Sequence, residues 1–220
     1  IGYAHNRRIL HRDLKPSNIM LGEHGEVIVV DWGLAKIAGD VEEYDEVSDP
    51  IVSTRSHEHD QTRVGSVSGT PAYMSPEQAQ GLQDEIGYAS DIYSLGIILY
   101  EILAGKPPFR GNTPEETIFH IRTQEPPLLY KDKKDIGGCY RHPSGHLIPI
   151  AIIEACEKAV SKNPSERFLT VGGLSQVIRD WLQGARQRDT ALEIVKSAQD
   201  YAKRAQDLEA QAKELHVDGE

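Results

Sequence analysis

Two short apolar runs near the start of the chain predict a tight β-hairpin. Ile19–Leu21 and Val27–Val30 are separated by the four residues 22–25, Gly-Glu-His-Gly, whose composition favours a chain reversal. Polar residues precede the first run and follow the second. The pattern therefore places a charged loop at each of the two open ends of one hairpin.

Apolar periodicity later in the chain predicts helices. Ser90–Leu103 is apolar on nearly all sides, which is typical of a central buried helix rather than an amphipathic surface helix. Thr113 and Glu116 form a capping-box pattern that includes a proline, so a helix is expected from there to about Thr123. The last two predicted helices are Ile150–Val160 and Val171–Leu182, the second of them capped by Thr170.

The C-terminal part of the chain has a seven-residue repeat. The first position is Ala191, Ala198, Ala205 and Ala212, and the residue three places later is Ile194, Tyr201, Leu208 and Leu215. Such a heptad predicts a helix that pairs with another helix through 191–215, in a dimer or on a downstream segment. A single helical linker to a further domain is an equally good interpretation, because alanine buries little area.

Composition limits the kinds of partner and environment. Of the 220 residues, 39% are hydrophobic and 26% are charged, as in a soluble globular protein. The net charge of −10 argues against a nucleic-acid partner, and the acidic run 40–49 would repel an anionic membrane surface. No apolar run is long enough to span a bilayer. Cys139 and Cys156 are too few for a disulfide framework, so a reducing, cytoplasmic location is expected, with any membrane tether in sequence not present here.

The two loops of the predicted hairpin carry the candidate chemistry. Residues 11–18 read His-Arg-Asp-Leu-Lys-Pro-Ser-Asn, and residues 31–33 read Asp-Trp-Gly. The hairpin brings Asp13, Lys15, Asn18 and Asp31 around one small volume. Three of these residues offer an oxygen and the fourth is a cation, a set that suits Mg²⁺ and phosphate. The sequence therefore predicts a phosphoryl-transfer site.

These two motifs resemble the catalytic loop and the metal-binding Asp-x-Gly of protein kinases. The stretches Asp-Trp-Gly-Leu-Ala-Lys and Gly-Thr-Pro-Ala-Tyr-Met-Ser-Pro-Glu-Gln-Ala are similar to bacterial kinases of the eukaryotic-like serine/threonine type. The resemblance covers about Ile1–Leu182. It implies a mainly α fold, the large lobe of a kinase, in which the small hairpin carries the catalytic and metal loops. We assign 1–184 to this lobe and 185–220 to the helical, coiled-coil-like linker.

The resemblance implies a role for each polar residue in a reaction that uses ATP and Mg²⁺. Asp13 is the catalytic base that receives or orients the substrate hydroxyl, and Lys15 neutralises charge on the phosphoryl group. Thr70 bonds both of them, which with Lys15 points to serine or threonine side chains of protein substrates. Asn18 and Asp31 hold Mg²⁺.

Apolar residues of the same region have implied roles in binding and packing. Met20 would lie beneath the adenine ring. Trp32 stands where the family usually has phenylalanine, and His11 would pack under it, so altered packing is expected without loss of metal binding.

Regulation is implied for the long segment from Asp31 to Glu77. Arg12 is the residue that pairs with a phosphate of this segment in related kinases, and a guanidinium can order a loop in this way. The preferred phosphorylation sites by position are Thr62, Ser66 and Ser68.

Three further residues are expected to be structural. Glu77 would be buried and must therefore be paired, and Arg167 is its expected partner. Asp91, at the start of the central helix, would bond backbone amides of the catalytic loop and fix the geometry of that loop.

The chain departs from the family in two respects. It has no glycine-rich loop and no Val-Ala-x-Lys strand, which in kinases precede the catalytic loop, so this chain, beginning at Ile1, is expected to be a fragment without the smaller lobe. Residues 128–148 look like an inserted loop of unknown role. The alternative function is a catalytically inactive, pseudokinase-like scaffold that binds partners through its helices.

Overall fold

The computed structural model describes residues 1–38, 71–129, 139–141 and 147–217. The acidic run 40–49 and the predicted sites Thr62, Ser66, Ser68 and Thr70 lie outside the described residues. Within the described residues, helices account for most of the regular structure, which agrees with the predicted mainly α fold.

The described strands lie near the start of the chain and again between the fourth and fifth helices. The helices are α1 (Gly2–His5), α2 (Pro76–Gln80), α3 (Tyr88–Ala104), α4 (Pro114–Thr123), α5 (Ile150–Ala159) and α6 (Val171–Val217). The strands are β1 (Ile9–Leu10), β2 (Ile19–Leu21), β3 (Val27–Val29), β4 (Lys36–Ile37), β5 (Cys139–Arg141) and β6 (Leu147–Pro149).

The described strands form three antiparallel pairs. β2 and β3 form the hairpin, in which Ile19 pairs with Val29 and Leu21 with Val27. Gly25 supplies the turn, since its φ of 88° is a conformation that favours glycine. β1 pairs with β4, so the chain segments before the catalytic loop and after the metal loop meet.

The third strand pair lies in the segment 128–148 that was expected to be an inserted loop. β5 pairs with β6 in the described part of this segment, so the expected inserted loop contains a strand pair. The apolar residues 147–149 form β6 directly before α5, and Ile148 is buried.

α3 is the centre of the core. Ile92, Tyr93 and Ile97 of this helix are completely buried, as the predicted all-round apolar pattern requires. α3 packs on α5 at Gly96, where an added Cβ would lie 2.8 Å from Cβ of Ala159. Two helices can approach this closely only where one of them has no side chain.

The start of α4 differs in detail from the predicted capping box. Oγ1 of Thr113 accepts a hydrogen bond from the N–H of Glu116 at 3.2 Å, as expected. The carboxylate of Glu116, however, accepts from the N–H of Asn112 at 2.6 Å and not from that of Thr113. The Glu116 side chain therefore bonds the residue before the N-cap and not the N-cap itself, so the capping box is only half formed.

α6 is longer than the sequence predicts. It begins after Thr170, whose Oγ1 accepts from the N–H of Gly173 at 3.2 Å, but it does not end at Leu182 and continues to Val217. The intervening residues contain Gly184 and no proline, and one glycine costs a helix only about 1 kcal/mol.

The chain divides into two compact units, Ile1–Ser175 and Gln176–Glu220. In the second unit, Ile194, Tyr201 and Leu208 of the heptad have 64%, 70% and 65% of their surface exposed, so this apolar stripe has no cover within the described chain. None of the described helices has the length and apolar character needed to cross a membrane.

Candidate catalytic site

The backbone of the catalytic loop is held by a buried carboxylate. Asp91, 1% exposed, accepts hydrogen bonds of 2.9 Å from the N–H groups of His11 and Arg12, one on each oxygen. Nε2 of His5 lies 2.8 Å from the same carboxylate. The contact that the resemblance implied for Asp91 is therefore present, and it ties the loop to the first turn of α3.

Two residues at the edges of the site have a strained backbone. Arg12 has φ of 70° and Asp31 has φ of 62°, and neither is glycine. A left-handed conformation costs such a residue about 1–2 kcal/mol. Hydrogen bonds that hold the loop must offset this free energy. At Arg12 they include the bonds that the His11 and Arg12 N–H groups donate to Asp91.

Three of the four predicted polar residues are in direct contact. Nζ of Lys15 donates to Oδ2 of Asp13 at 2.7 Å. Nδ2 of the buried Asn18 donates to the same oxygen at 3.2 Å and to the main-chain carbonyl of Asp13 at 2.9 Å. The cluster is compact because the turn over Pro16–Asn18 folds Asn18 back onto Asp13.

Asp31 joins this cluster through the backbone. The N–H of Val30, its neighbour, donates to the carbonyl of Asn18 at 2.9 Å. A Cβ at Gly33 would lie 3.3 Å from Oδ1 of Asp31, so glycine leaves the space in which this carboxylate sits. No hydrogen bond joins the Asp31 carboxylate to Asp13, Lys15 or Asn18 within the described residues.

His11 and Trp32 pack together below the loops, as predicted. Their ring centroids lie 4.6 Å apart, and Nε1 of Trp32 donates to the carbonyl of Val29 at 3.0 Å. Nδ1 of His11 accepts from the N–H of Asp13 at 3.3 Å, so Nε2 is the nitrogen that donates to the carbonyl of Val30 at 3.1 Å. Trp32 remains 39% exposed, so it covers His11 without being buried itself.

Met20 lies on the exposed side of the hairpin. It is 56% exposed and pairs across the strands with Ile28, which is 54% exposed. Leu21 and Val27, the next pair along the strands, are also exposed and point to the opposite face, so both faces of the hairpin carry exposed apolar side chains.

The expected partner of Glu77 is also in place. Nη1 and Nη2 of Arg167 donate to the two carboxylate oxygens of Glu77 at 2.8 and 2.9 Å, and both side chains are almost completely buried. Oγ of Ser90 donates to the same carboxylate at 2.7 Å. Burial raises the pKa of Glu77, but the hydrogen bonds and charge of Arg167 outweigh burial and lower the pKa overall.

Sequence reasoning missed two glutamines that contact Arg12. Nε2 of Gln78 donates to the Arg12 carbonyl at 2.7 Å, and the Arg12 guanidinium donates to Oε1 of Gln83 at 2.9 Å. The capping-box spacing of Ser75 and Gln78 is a signal that could have placed Gln78 at a helix start. Nothing local in the sequence points to its contact with a residue 66 positions away.

Comparison with known proteins identifies the family. Residues 1–179 match the protein kinase domain. The chain belongs to the protein kinase family. The kinase resemblance seen in the sequence is thereby confirmed, and the match includes the catalytic loop, the hairpin and helices α1 to α5.

Similar kinases occur in several bacteria. The chain is 36% identical over 184 residues to the serine/threonine-protein kinase PknD of Protochlamydia amoebophila, covering 84% of this chain and 17% of that protein. It is 34% identical over 188 residues to PknD of Chlamydia trachomatis, with 84% of this chain and 18% of that kinase covered. It is 35% identical over 170 residues to the serine/threonine-protein kinase PknB of Mycobacterium leprae, covering 77% and 22%. The chain thus spans about a fifth of the length of these kinases.

Proposed function

We propose that this chain is the helical catalytic lobe of a serine/threonine protein kinase, which transfers the γ-phosphoryl group of ATP to hydroxyl groups of proteins. The observation that carries the proposal is the cluster of Asp13, Lys15 and Asn18 with Asp31 on the adjoining loop. Serine/threonine specificity is supported by Lys15 and by the names of the similar kinases.

The polar residues fit a magnesium–nucleotide complex. Both contacts of Asn18 with Asp13 use Nδ2, so its carbonyl oxygen is the side-chain atom that can bind a cation. Asp31 would supply carboxylate oxygens from the space that Gly33 leaves. Hard oxygen ligands of this kind suit Mg²⁺, and bound MgATP supplies the phosphoryl group with part of its charge already neutralised.

Asp13 is proposed to act on the substrate hydroxyl, and Lys15 on the phosphoryl group that is transferred. Oδ2 of Asp13 carries the bonds from Lys15 and Asn18, and we assign Oδ1 to the substrate hydroxyl, which it would orient and whose proton it would accept. The Lys15 ammonium, fixed by Asp13 at 2.7 Å, would balance charge on the transferring group.

The remaining assignments complete the proposal. Met20, exposed on the hairpin, would contact adenine, and Thr70 would bond Asp13 and Lys15. Arg12 would bind a phosphate on the segment that contains Thr62, Ser66 and Ser68. Residues 1–184 would form the lobe and 185–220 a helical linker, with 191–215 available to a partner helix.

Binding of MgATP to the 220-residue chain, measured by calorimetry, tests the proposal. Asp31→Asn removes a metal-binding oxygen, and Asp84→Asn makes the same change at an exposed carboxylate outside the site. We expect binding by the wild type and by Asp84→Asn, and its loss in Asp31→Asn.

Two outcomes would contradict the proposal for this chain. One is an absence of binding at millimolar nucleotide, and the other is equal binding by both variants. The first result would favour the pseudokinase-like scaffold, in which the lobe binds partners without nucleotide; the second would show that nucleotide binds without the Asp31 carboxylate, and so not at the proposed metal site.

A further inference from the structure

The peptide group that joins Arg12 to Asp13 is bonded on both sides. Its carbonyl oxygen, that of Arg12, accepts a hydrogen bond of 2.7 Å from Nε2 of Gln78. Its N–H group, that of Asp13, donates to Nδ1 of His11 at 3.3 Å. The preceding N–H group, that of Arg12, donates to the Asp91 carboxylate. Gln78 is thus the contact that fixes the carbonyl side of the peptide leading into Asp13.

Gln78 can hold this carbonyl because its own side chain is fixed at the other end. Its Oε1 accepts from the N–H group and from the hydroxyl of Ser75, both at 3.0 Å, and Ser75 is completely buried. The opposite orientation of the amide would set its NH₂ group against the Ser75 N–H and its oxygen against the Arg12 carbonyl. The hydrogen bonds therefore determine which end of the amide faces the catalytic loop.

The loop needs such a contact at this position. Arg12 has φ of 70°, so the peptide on its C-terminal side has an orientation that a free chain with arginine would rarely adopt. Asp91 fixes only the N–H side of Arg12. Without Gln78, rotation about the Arg12 backbone could move Asp13, and with Asp13 the side chains of Lys15 and Asn18 that bond it.

We propose that Gln78 is a positioning residue, whose side-chain N–H group, bonded to the Arg12 carbonyl, sets the direction of Asp13. The functional part of this inference rests on the proposed phosphoryl transfer. The positioning part concerns the backbone alone and can be tested without nucleotide.

Hydrogen exchange of single amides, measured by NMR on the full chain, tests the positioning. Gln78→Glu keeps oxygens for Ser75 but removes the donor to Arg12, and Gln80→Glu makes the same change at an exposed position of α2. Ser75→Ala removes the hydroxyl of the capping box but keeps the backbone N–H group that donates to Oε1 of Gln78, and so leaves the Gln78 donor in place. We expect Gln78→Glu to speed exchange of the Asp13 amide about tenfold relative to the Ile97 amide in α3, as loss of one hydrogen bond predicts. Gln80→Glu and Ser75→Ala should not do so.

A purely structural role for Gln78 would give a different pattern. Ser75→Ala would then speed the Asp13 amide as much as Gln78→Glu does, and this result, or no change in Gln78→Glu, would overturn the proposal. The wild type provides a test that does not depend on whether a variant folds. The side-chain amide protons of Gln78 should exchange far more slowly than those of Gln80, and equal rates would also overturn the proposal.

MgATP binding to the same variants separates the two proposals. If the wild type binds, Gln78→Glu should weaken binding severalfold and Gln80→Glu should leave it unchanged; equal affinities for the two variants would overturn the coupling to the site. If the wild type does not bind, the proposed function fails for this chain, while the exchange rates still decide whether Gln78 positions Asp13.

Discussion

Replacement of Arg167 by methionine should be among the most destabilising single changes in the chain. Arg167 makes five hydrogen bonds: two to Glu77 and one each to the carbonyls of Ala89, Ser161 and Lys162. Methionine fills a similar length but donates none of them. The variant leaves the Glu77 carboxylate buried without its counter-charge, although Ser90 still donates to it.

The expected cost follows from these contacts. Breaking a buried ion pair by removing one partner costs about 3–5 kcal/mol, and each unpaired carbonyl adds about 1 kcal/mol unless water reaches it. Domains of this size have free energies of unfolding of about 5–15 kcal/mol, so Arg167→Met should unfold at much lower urea concentration than the wild type. Exposed Arg122→Met is the matched control and should change stability by less than about 0.5 kcal/mol.

The pH dependence of the free energy of unfolding is a second, independent test of the same reasoning. In the wild type the Glu77 pKa is lowered below its ordinary 4.5, so its contribution to stability is present above that pH and is lost as the pH falls further. In Arg167→Met, burial and the weaker hydrogen bonds from Ser90 and from the Glu77 backbone remain, so the pKa of Glu77 should rise and the variant should gain stability on mild acidification. Urea unfolding at pH 7 and pH 5, followed by tryptophan fluorescence, measures both effects. A loss below about 1 kcal/mol, or a variant that weakens between pH 7 and pH 5, would refute the reasoning.

Two further substitutions and one change of pH have expected outcomes in thermal or urea unfolding. Tyr93→Phe should leave stability unchanged or raise it by about 1 kcal/mol, because the buried hydroxyl has no hydrogen-bond partner among the described residues. Gly96→Ala should cost about 1–3 kcal/mol, since the new Cβ would lie 2.8 Å from Ala159. Burial lowers the pKa of Lys162 to about 8, so the folded state binds fewer protons than the unfolded state between pH 8 and 10.5, and stability should rise with pH across that window.

Each of these changes has a control and a contrary result. Tyr100→Phe removes a hydroxyl that does donate, to the Pro127 carbonyl at 3.0 Å, and should be destabilising; equal effects of the two tyrosine changes would contradict the first prediction. Gly184→Ala, whose new Cβ would have no neighbour closer than 3.6 Å apart from the helix backbone and the two adjoining residues, should instead stabilise the helix. A loss of stability in Gly184→Ala would contradict the reasoning used for Gly96→Ala. Lys162→Met should abolish the rise above pH 8, and its persistence in that variant would assign the rise to another group.

Much of the fold and the centre of the site could be predicted because their signals are local. The hairpin follows from two apolar runs and a glycine turn, and the all-round apolar pattern of α3 required its burial. Asp13, Lys15 and Asn18 lie within six residues, so any turn that folds this loop back brings them together.

Other features depend on contacts that no local pattern encodes. The left-handed backbone of Arg12 and Asp31 is not signalled by a glycine at either position, and the groups that flank Arg12 are bonded by Asp91 and Gln78, which are distant in the sequence. The predicted end of the last helix at Leu182 is too early, because α6 continues through Gly184 to Val217. A single glycine costs a helix only about 1 kcal/mol, which the helical residues on either side outweigh.

The position of Asp91 has a consequence for how the catalytic loop should behave on heating. The catalytic loop can leave its place only if two N–H groups release a carboxylate that is 1% exposed and belongs to the central helix. Leaving a buried carboxylate without these donors costs free energy, so we do not expect the loop to loosen before α3 unfolds. Loop and core should therefore melt in one cooperative step. We expect the amides of His11 and Arg12 to lose their protection from hydrogen exchange at the temperature at which α3 melts, with no folded state below it in which the loop alone has loosened.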